Sequence, residues 1–292
     1  MRYRCLVALC VSAVVFRPSV RLRTLALSGS PARQGLSKGE YPDRILCIGD
    51  SHTEGIFGAP WLSTVERRLG CKCDNLGVNA QTAAYIARRA IKAQPSDLAV
   101  VLAGTNDALM ELASKQKNTG MFTMYQVRNE MPSDFKPSVQ AFSANFQRLL
   151  DAVPARRLAV ASLPPLGEAL DGLAVDVVDA YNLEIRRLVD MDTRAVYMPF
   201  NEALRRRLGA SSDAAGQAFD ASDYGFAGAV AEMFGHTAVR WLPFGPSFDS
   251  LAERKGRRVL HDKIHLTEAS AEVLADLVVK ALSESEDDPQ RV

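Results

Sequence analysis

The sequence predicts an α/β fold in which a parallel sheet lies between two layers of helices. Three observations carry this. Short apolar runs alternate along the chain with segments of helical spacing. The run Leu98–Ala103 is apolar without interruption, as a strand buried on both faces must be. Finally, three strand ends carry glycine followed by small polar residues: Gly49-Asp50-Ser51, Gly77-Val78-Asn79 and Gly104-Thr105-Asn106-Asp107. Open parallel sheets place their ligands at such carboxyl ends. With 292 residues and 47% hydrophobic content, the chain has ample material for a sizeable core.

Taken in order, the chain opens on Met-Arg-Tyr-Arg, twelve mostly apolar residues from Cys5 to Phe16, and Arg17. That apolar stretch is too short to span a bilayer and fits the core of a secretory signal. The Arg- and Ser-rich, acid-free segment after it fits an organelle transit peptide, plastid or mitochondrial, and a bipartite leader satisfies both halves. Residues 1–40 are therefore read as a targeting leader outside the fold, with delivery to the secretory pathway or an organelle.

The folded part is expected over residues 41–283. Ile45–Ile48 reads as the first strand. Pro60–Leu69 has helical spacing through Trp61, Leu62, Val65 and Leu69, with proline in the first turn. An extended piece over Cys71–Leu76 precedes a helix over Thr82–Ala93. After the strand at Leu98, Phe142, Phe146, Leu149, Leu150 and Val153 line a helix stopped by Pro154. Leu158–Leu163 is a strand, Val177–Val189 a helix, Ala195–Met198 a strand and Val273–Leu282 the last helix. Residues 284–292 are an acidic, frayed tail. Two segments break the rhythm, 117–137 and 209–258. Both are rich in Met and aromatic residues, and they read either as pocket walls or as plugs for the core's edge.

Charge excludes one class of function. Residues 1–38 carry seven basic and no acidic residues, leaving 28 basic against 34 acidic in the remainder. A body that is mildly acidic and lacks a basic stripe is not built for nucleic acid. Cys71 and Cys73 flank one lysine and share a face in an extended segment. No further Cys/His cluster completes a metal's ligand set, so they read as small strand residues.

The chemistry concentrates at the strand ends and near the C-terminus, in His261-Asp262-Lys263-Ile264-His265. Nucleophilic serine chemistry needs a hydroxyl, an imidazole to take its proton, a carboxylate to orient that imidazole, and N–H donors for the oxyanion. Ser51 supplies the hydroxyl. Asp262 and His265, three apart, share one face of a helical turn and can supply orienter and base. Gly77 offers an unobstructed N–H and Asn106 an amide, although Asn106 also reads as an N-cap. His261 is the rival base, disfavoured because Asp262 immediately follows it. His236 has no discernible partner and reads as a surface or loop histidine. The sequence contains no P-loop, no Gly-x-Gly-x-x-Gly after the first strand and no Gly-x-Ser-x-Gly elbow.

Gly-Asp-Ser-x-Thr, Gly-x-Asn, Gly-x-Asn-Asp and Asp-x-x-His, in this order from about Arg44 to Leu282, resemble the blocks of the SGNH or GDSL hydrolase superfamily. The resemblance implies a flavodoxin-like α/β/α sandwich and a serine esterase working through an acyl-enzyme. Ser51, His265 and Asp262 would form the triad, with Ser51, Gly77 and Asn106 as oxyanion donors. It implies a small-molecule ester substrate and no metal or organic cofactor; with the one leader stretch too short to span a bilayer, no stable membrane span is expected in the mature chain. The chain departs from the family at His52, where an apolar residue is usual; His52 is expected to face solvent or make a loop hydrogen bond. Two other functions suit the same scaffold: acyl transfer to an alcohol, and non-catalytic binding of a lipid or glycan.

Overall fold

The structure is a computed structural model and describes residues 43–209 and 217–284. The expected leader lies outside the described residues, as do 210–216 of the second insertion and 285–292 of the tail.

Five strands form the sheet: β1 (Arg44–Gly49), β2 (Lys72–Gly77), β3 (Ser96–Leu102), β4 (Ala155–Ala161) and β5 (Ala195–Met198). Their order is β2-β1-β3-β4-β5 and every pairing is parallel. Successive strand residues face opposite sides, which explains the uninterrupted apolar runs. Leu46, Ile48, Ala99 and Val101 face one core; Ile45, Cys47, Val100 and Leu102 face the other.

Helices cover both faces. α3 (Ala83–Ala90), α4 (Thr105–Lys115), α6 (Val139–Ala152) and α7 (Leu173–Met191) pack Ile86, Leu109, Phe142 and Ile185 on the first core. On the second lie α2 (Leu62–Leu69), α8 (Phe200–Gly209), α10 (Phe248–Glu253) and α11 (Glu268–Glu284), with Val65, Phe200, Phe248 and Leu274. Fully burying one such side chain contributes about 1.5–3 kcal/mol. Cys47, Cys71 and Cys73 are free thiols within this second core.

Each of the two irregular segments contains helix among the described residues. Segment 117–137 contains α5 (Thr119–Arg128), started by Asn118, whose Oδ1 accepts the Met121 N–H at 2.9 Å. Met121 and Tyr125 are buried, and Phe122, Met124, Met131 and Phe135 pack on the same core. These residues extend the core's edge. The later segment forms α9 (Asp223–Arg240) and α10. Phe219 and Phe248 are buried there, whereas Phe234, Trp241, Leu242 and Phe244 are exposed. No helix among the described residues is long and apolar enough to cross a membrane.

The strand order matters for function. β2 and β3 lie on opposite sides of β1, so the chain's crossovers diverge there and leave a crevice beyond the carboxyl ends of β1 and β3.

Candidate active site

Ser51 stands in that crevice because β1 ends in Gly49. A side chain at Gly49 would collide with Thr53 Oγ1 and the Leu102 carbonyl, so only glycine permits the tight passage into α1 (Ser51–Glu54). Asp50 caps this short helix, its Oδ1 accepting the His52 N–H at 3.0 Å. As the first residue of the helix, Ser51 has no intrahelical acceptor for its own N–H.

Opposite, His265 Nε2 lies 3.0 Å from Ser51 Oγ, and His265 Nδ1 lies 2.7 Å from Asp262 Oδ2. The backbone linking Asp262 to His265 is not the helical turn expected from the spacing. It is a turn in which Asp262 Oδ1 accepts the N–H groups of Ile264 (2.9 Å) and His265 (2.6 Å), with Lys263 at φ 72°. A short polar side chain can organise the backbone two and three residues on, which is why Asp and His still meet. All three residues are buried. Burial pushes the Asp262 carboxyl upward, but the imidazoles of His265 and His261 and the hydrogen bonds from His265 outweigh it. The carboxyl is held well below the usual range.

Asn106 is the second residue of α4 rather than its N-cap, a position taken by Gly104 at φ 120°. Its Nδ2 donates to the Gln81 carbonyl at 2.9 Å and reaches Asp50 Oδ2 at 3.4 Å. Gly77 sits at the end of β2, in register with Gly49. Its N–H donates to Asn75 Oδ1 at 2.8 Å and so is not free as expected. What requires glycine is space, since a Cβ would run into the Glu54 N–H and the Thr53 carbonyl carbon of α1. Three residues on, Ala80 adopts φ 58°, and its carbonyl is held by Asn129 Nδ2 at 3.0 Å. The Ala80 N–H has no partner among the described residues.

Two buried carboxyls lie beneath these groups. Burial raises Asp50 to about 7 against the hydrogen bond from His52 and the attraction of His265. Asp107, which accepts the Ala83 N–H at 2.9 Å, is likewise raised by burial to about 7.

The other histidines depart from expectation. His52 does not face solvent; it is 3% exposed, and neither ring nitrogen has a hydrogen-bond partner. Its ring lies 5.5 Å from that of His265, and Trp61 Nε1–H fixes its backbone carbonyl at 3.1 Å. His236 does have a partner, since its Nδ1 is 3.1 Å from His261 Nδ1. His261 Nε2 is 2.6 Å from the Phe57 carbonyl, which can only accept, so the proton on His261 belongs at Nε2. His236 then donates to His261 Nδ1. With both nitrogens so engaged, and the ring stacked on Phe248 at 4.2 Å, His261 is tied away from Ser51.

Sequence reading missed Glu168, in the loop after β4. Its buried carboxylate accepts the N–H groups of Arg258, Val259 and Leu260 at 2.7–2.9 Å, while Gly167 N–H bonds the Lys263 carbonyl at 2.8 Å. Arg257 adds a bond to the His261 carbonyl and an ion pair with Glu232 of α9, each at 2.7 Å. These contacts hold the segment carrying Asp262 and His265. The only sequence sign was a glutamate among apolar residues, Leu166-Gly167-Glu168-Ala169-Leu170.

His261, Asp262 and His265 place ligand-type atoms within 4.8 Å of one another, but each is already committed to a hydrogen bond described above. A cavity of about 260 Å³ lies apart, bordered by Leu166, Leu173, Phe219 and Asp220 among others, and touches none of Ser51, Asp262 and His265.

Comparison with known proteins follows this geometry. Residues 47–225 match the model of the GDSL-like lipase/acylhydrolase family. No curated protein matches the sequence. Among solved structures, an acetylxylan esterase from Geobacillus stearothermophilus is 15% identical over 82% of this chain and 94% of its own, with a TM-score of 0.51. A catalytic mutant of that enzyme is 15% identical over 85% and 96%, also at 0.51. An alpha/beta hydrolase enzyme from the metagenome of Lake Arreo, Spain, is 13% identical over 82% and 95%, at 0.52. At such identities the likeness is one of fold.

Proposed function

The chain belongs to the GDSL-like lipase/acylhydrolase family and is an ester hydrolase of the SGNH type; from that premise we propose that it works through a covalent acyl-enzyme on Ser51. The observation that supports this is the unbroken line from Ser51 Oγ to His265 Nε2 (3.0 Å) and from His265 Nδ1 to Asp262 Oδ2 (2.7 Å). Ser51 Oγ attacks the ester carbonyl carbon while His265 Nε2 takes the hydroxyl proton. Asp262 holds the Nδ1–H tautomer and stabilises the imidazolium. Collapse of the tetrahedral intermediate breaks the ester C–O bond, and His265 returns the proton to the departing alcohol. Water, activated by the same imidazole, then releases the acid from Ser51.

The intermediate's oxyanion needs fixed donors. We assign these to the Ser51 N–H and the Asn106 amide. From the loop after β2, the free Ala80 N–H suits the third place better than that of Gly77, which joins only if the Asn75 side chain turns away.

The test is Ser51→Ala, assayed on p-nitrophenyl acetate and by labelling with a fluorophosphonate. Turnover is expected to fall about 10⁴-fold or more, with labelling abolished. A variant that keeps near-normal rates removes the mechanism.

A further inference from the structure

Arg89 lies in the last turn of α3, and its half-buried side chain reaches the carboxyl ends of two strands. The guanidinium takes three acceptors from separate parts of the chain. Nη2–H donates to the Gly49 carbonyl at 3.1 Å, Nη1–H to the Leu76 carbonyl, and Nε–H to Gln81 Oε1 at 2.7 Å. Gly49 ends β1, and Leu76 precedes Gly77 at the end of β2. Gln81 belongs to the loop before α3 and is 4% exposed. A planar fork of donors suits this task, because it holds several acceptors in fixed directions at once.

The acceptors stand behind the groups assigned to the oxyanion. Gly49 lies two residues before Ser51, whose N–H is one donor. Gln81 directly follows Ala80, whose free N–H is another. The Gln81 carbonyl also accepts from Asn106 Nδ2 at 2.9 Å and so sets the amide that completes the group. Holding the Leu76 carbonyl fixes the strand that leads into this loop. Donors aimed at a developing charge work only if they are in place before it forms, and a misplacement of about 1 Å can cost about 10² in rate. We propose that Arg89 is the positioning residue of the oxyanion site. It locks the ends of β1 and β2 and the Gln81 loop into one frame, so that the Ser51 N–H, the Ala80 N–H and the Asn106 amide converge. This rests on the acyl-enzyme reading of Ser51.

The experiment is a double-mutant cycle on p-nitrophenyl acetate. Wild type, Arg89→Met, Arg89→Lys, Asn106→Ala and the double variant Arg89→Met/Asn106→Ala are assayed, with Ser51→Ala as control and a urea-denaturation curve for each. Arg89→Met is expected to lower kcat about 10²-fold with KM nearly unchanged. Arg89→Lys keeps the charge but cannot span all of these acceptors, and should recover part of the loss. With the Asn106 amide gone, part of what Arg89 positions is gone too. The double variant should therefore be about tenfold faster than the product of the single losses predicts. A residue that only supports the fold would give losses that multiply. That result, a loss confined to KM, or an unchanged kcat overturns the proposal. If Arg89→Met does not fold, Arg89→Lys takes its place in the cycle under the same criterion. If wild-type hydrolysis is absent, or survives Ser51→Ala, it is the acyl-enzyme reading that fails, and the proposal falls with it.

Discussion

The Asn106 amide sits between two acceptors, the Gln81 carbonyl at 2.9 Å and Asp50 Oδ2 at 3.4 Å. The shorter bond occupies one of the two amide protons and fixes the amide plane before any substrate arrives; the other proton, whose reach to Asp50 Oδ2 is long, is the one an oxyanion would take. Asn106→Ala is expected to lower kcat by about 10²–10³ with little change in KM, because the interaction forms in the transition state. Steady-state kinetics on one short-chain ester decide it; a rise in KM alone would assign Asn106 to ground-state binding. At this scale the sequence was informative wherever residue type and order sufficed. Ser51, Asn106, Asp262 and His265 could each be named from strand-end position and spacing. What failed were statements about surroundings. His52 was expected outside and lies inside; His236 was expected alone and pairs with His261. Burial and partnership depend on residues brought in from distant parts of the chain, such as His265 beside His52 and Phe57 against His261.

Among the elements, the segment from Arg257 to His265 has no regular secondary structure, yet it carries half of the proposed machinery. Glu168 organises it, matching three consecutive N–H groups with one carboxylate from a different crossover. Glu168→Ala leaves those buried donors unmatched. It is expected to cost about 3 kcal/mol or more and to slow Ser51 labelling by fluorophosphonate. Glu168→Gln keeps one acceptor oxygen and should fall between the two. Urea denaturation beside the labelling rate tests this, and an Ala variant equal to wild type in both would contradict it. The role of Gly77 also belongs here. Its motif marked it correctly as a glycine site, but the reason is the close approach of β2 to α1. A contact between two elements is not written in either one.

For the whole molecule, the buried titratable groups predict acid behaviour, and their signs differ. Burial, reinforced by the charge of His265, lowers His52 to about 3; burial lowers His236 and His261 in the same direction. Below the unfolded value of about 6.5 the unfolded chain binds these protons and the folded one resists, so acid removes stability. Asp262 acts likewise, but only as pH falls through its unfolded value of about 3.9. Asp50 and Asp107, raised to about 7, act oppositely. Their contribution is present below about 3.9 and is lost as pH rises through about 7. His52→Leu removes one acid-sensitive group. Between pH 6.5 and 4 this variant is expected to lose roughly 3 kcal/mol less stability than wild type. Urea midpoints measured across that range would show the two curves converging towards high pH; parallel curves would refute it.

The sequence by itself determined the fold class, the strand ends that carry small polar residues and the candidates Ser51, Gly77, Asn106 and His265. Period, apolar runs and local turn chemistry are properties of short stretches, and short stretches are what a sequence displays. Only the tertiary structure decided that Asp262 reaches His265 through a turn instead of a helix, that Asn75 occupies the Gly77 N–H, and that His52 lies buried and unmatched beside His265. Each of these depends on which atom lies within hydrogen-bonding range of which. That distance is set by the packing of β1, β2 and β3 with the loops that converge on them.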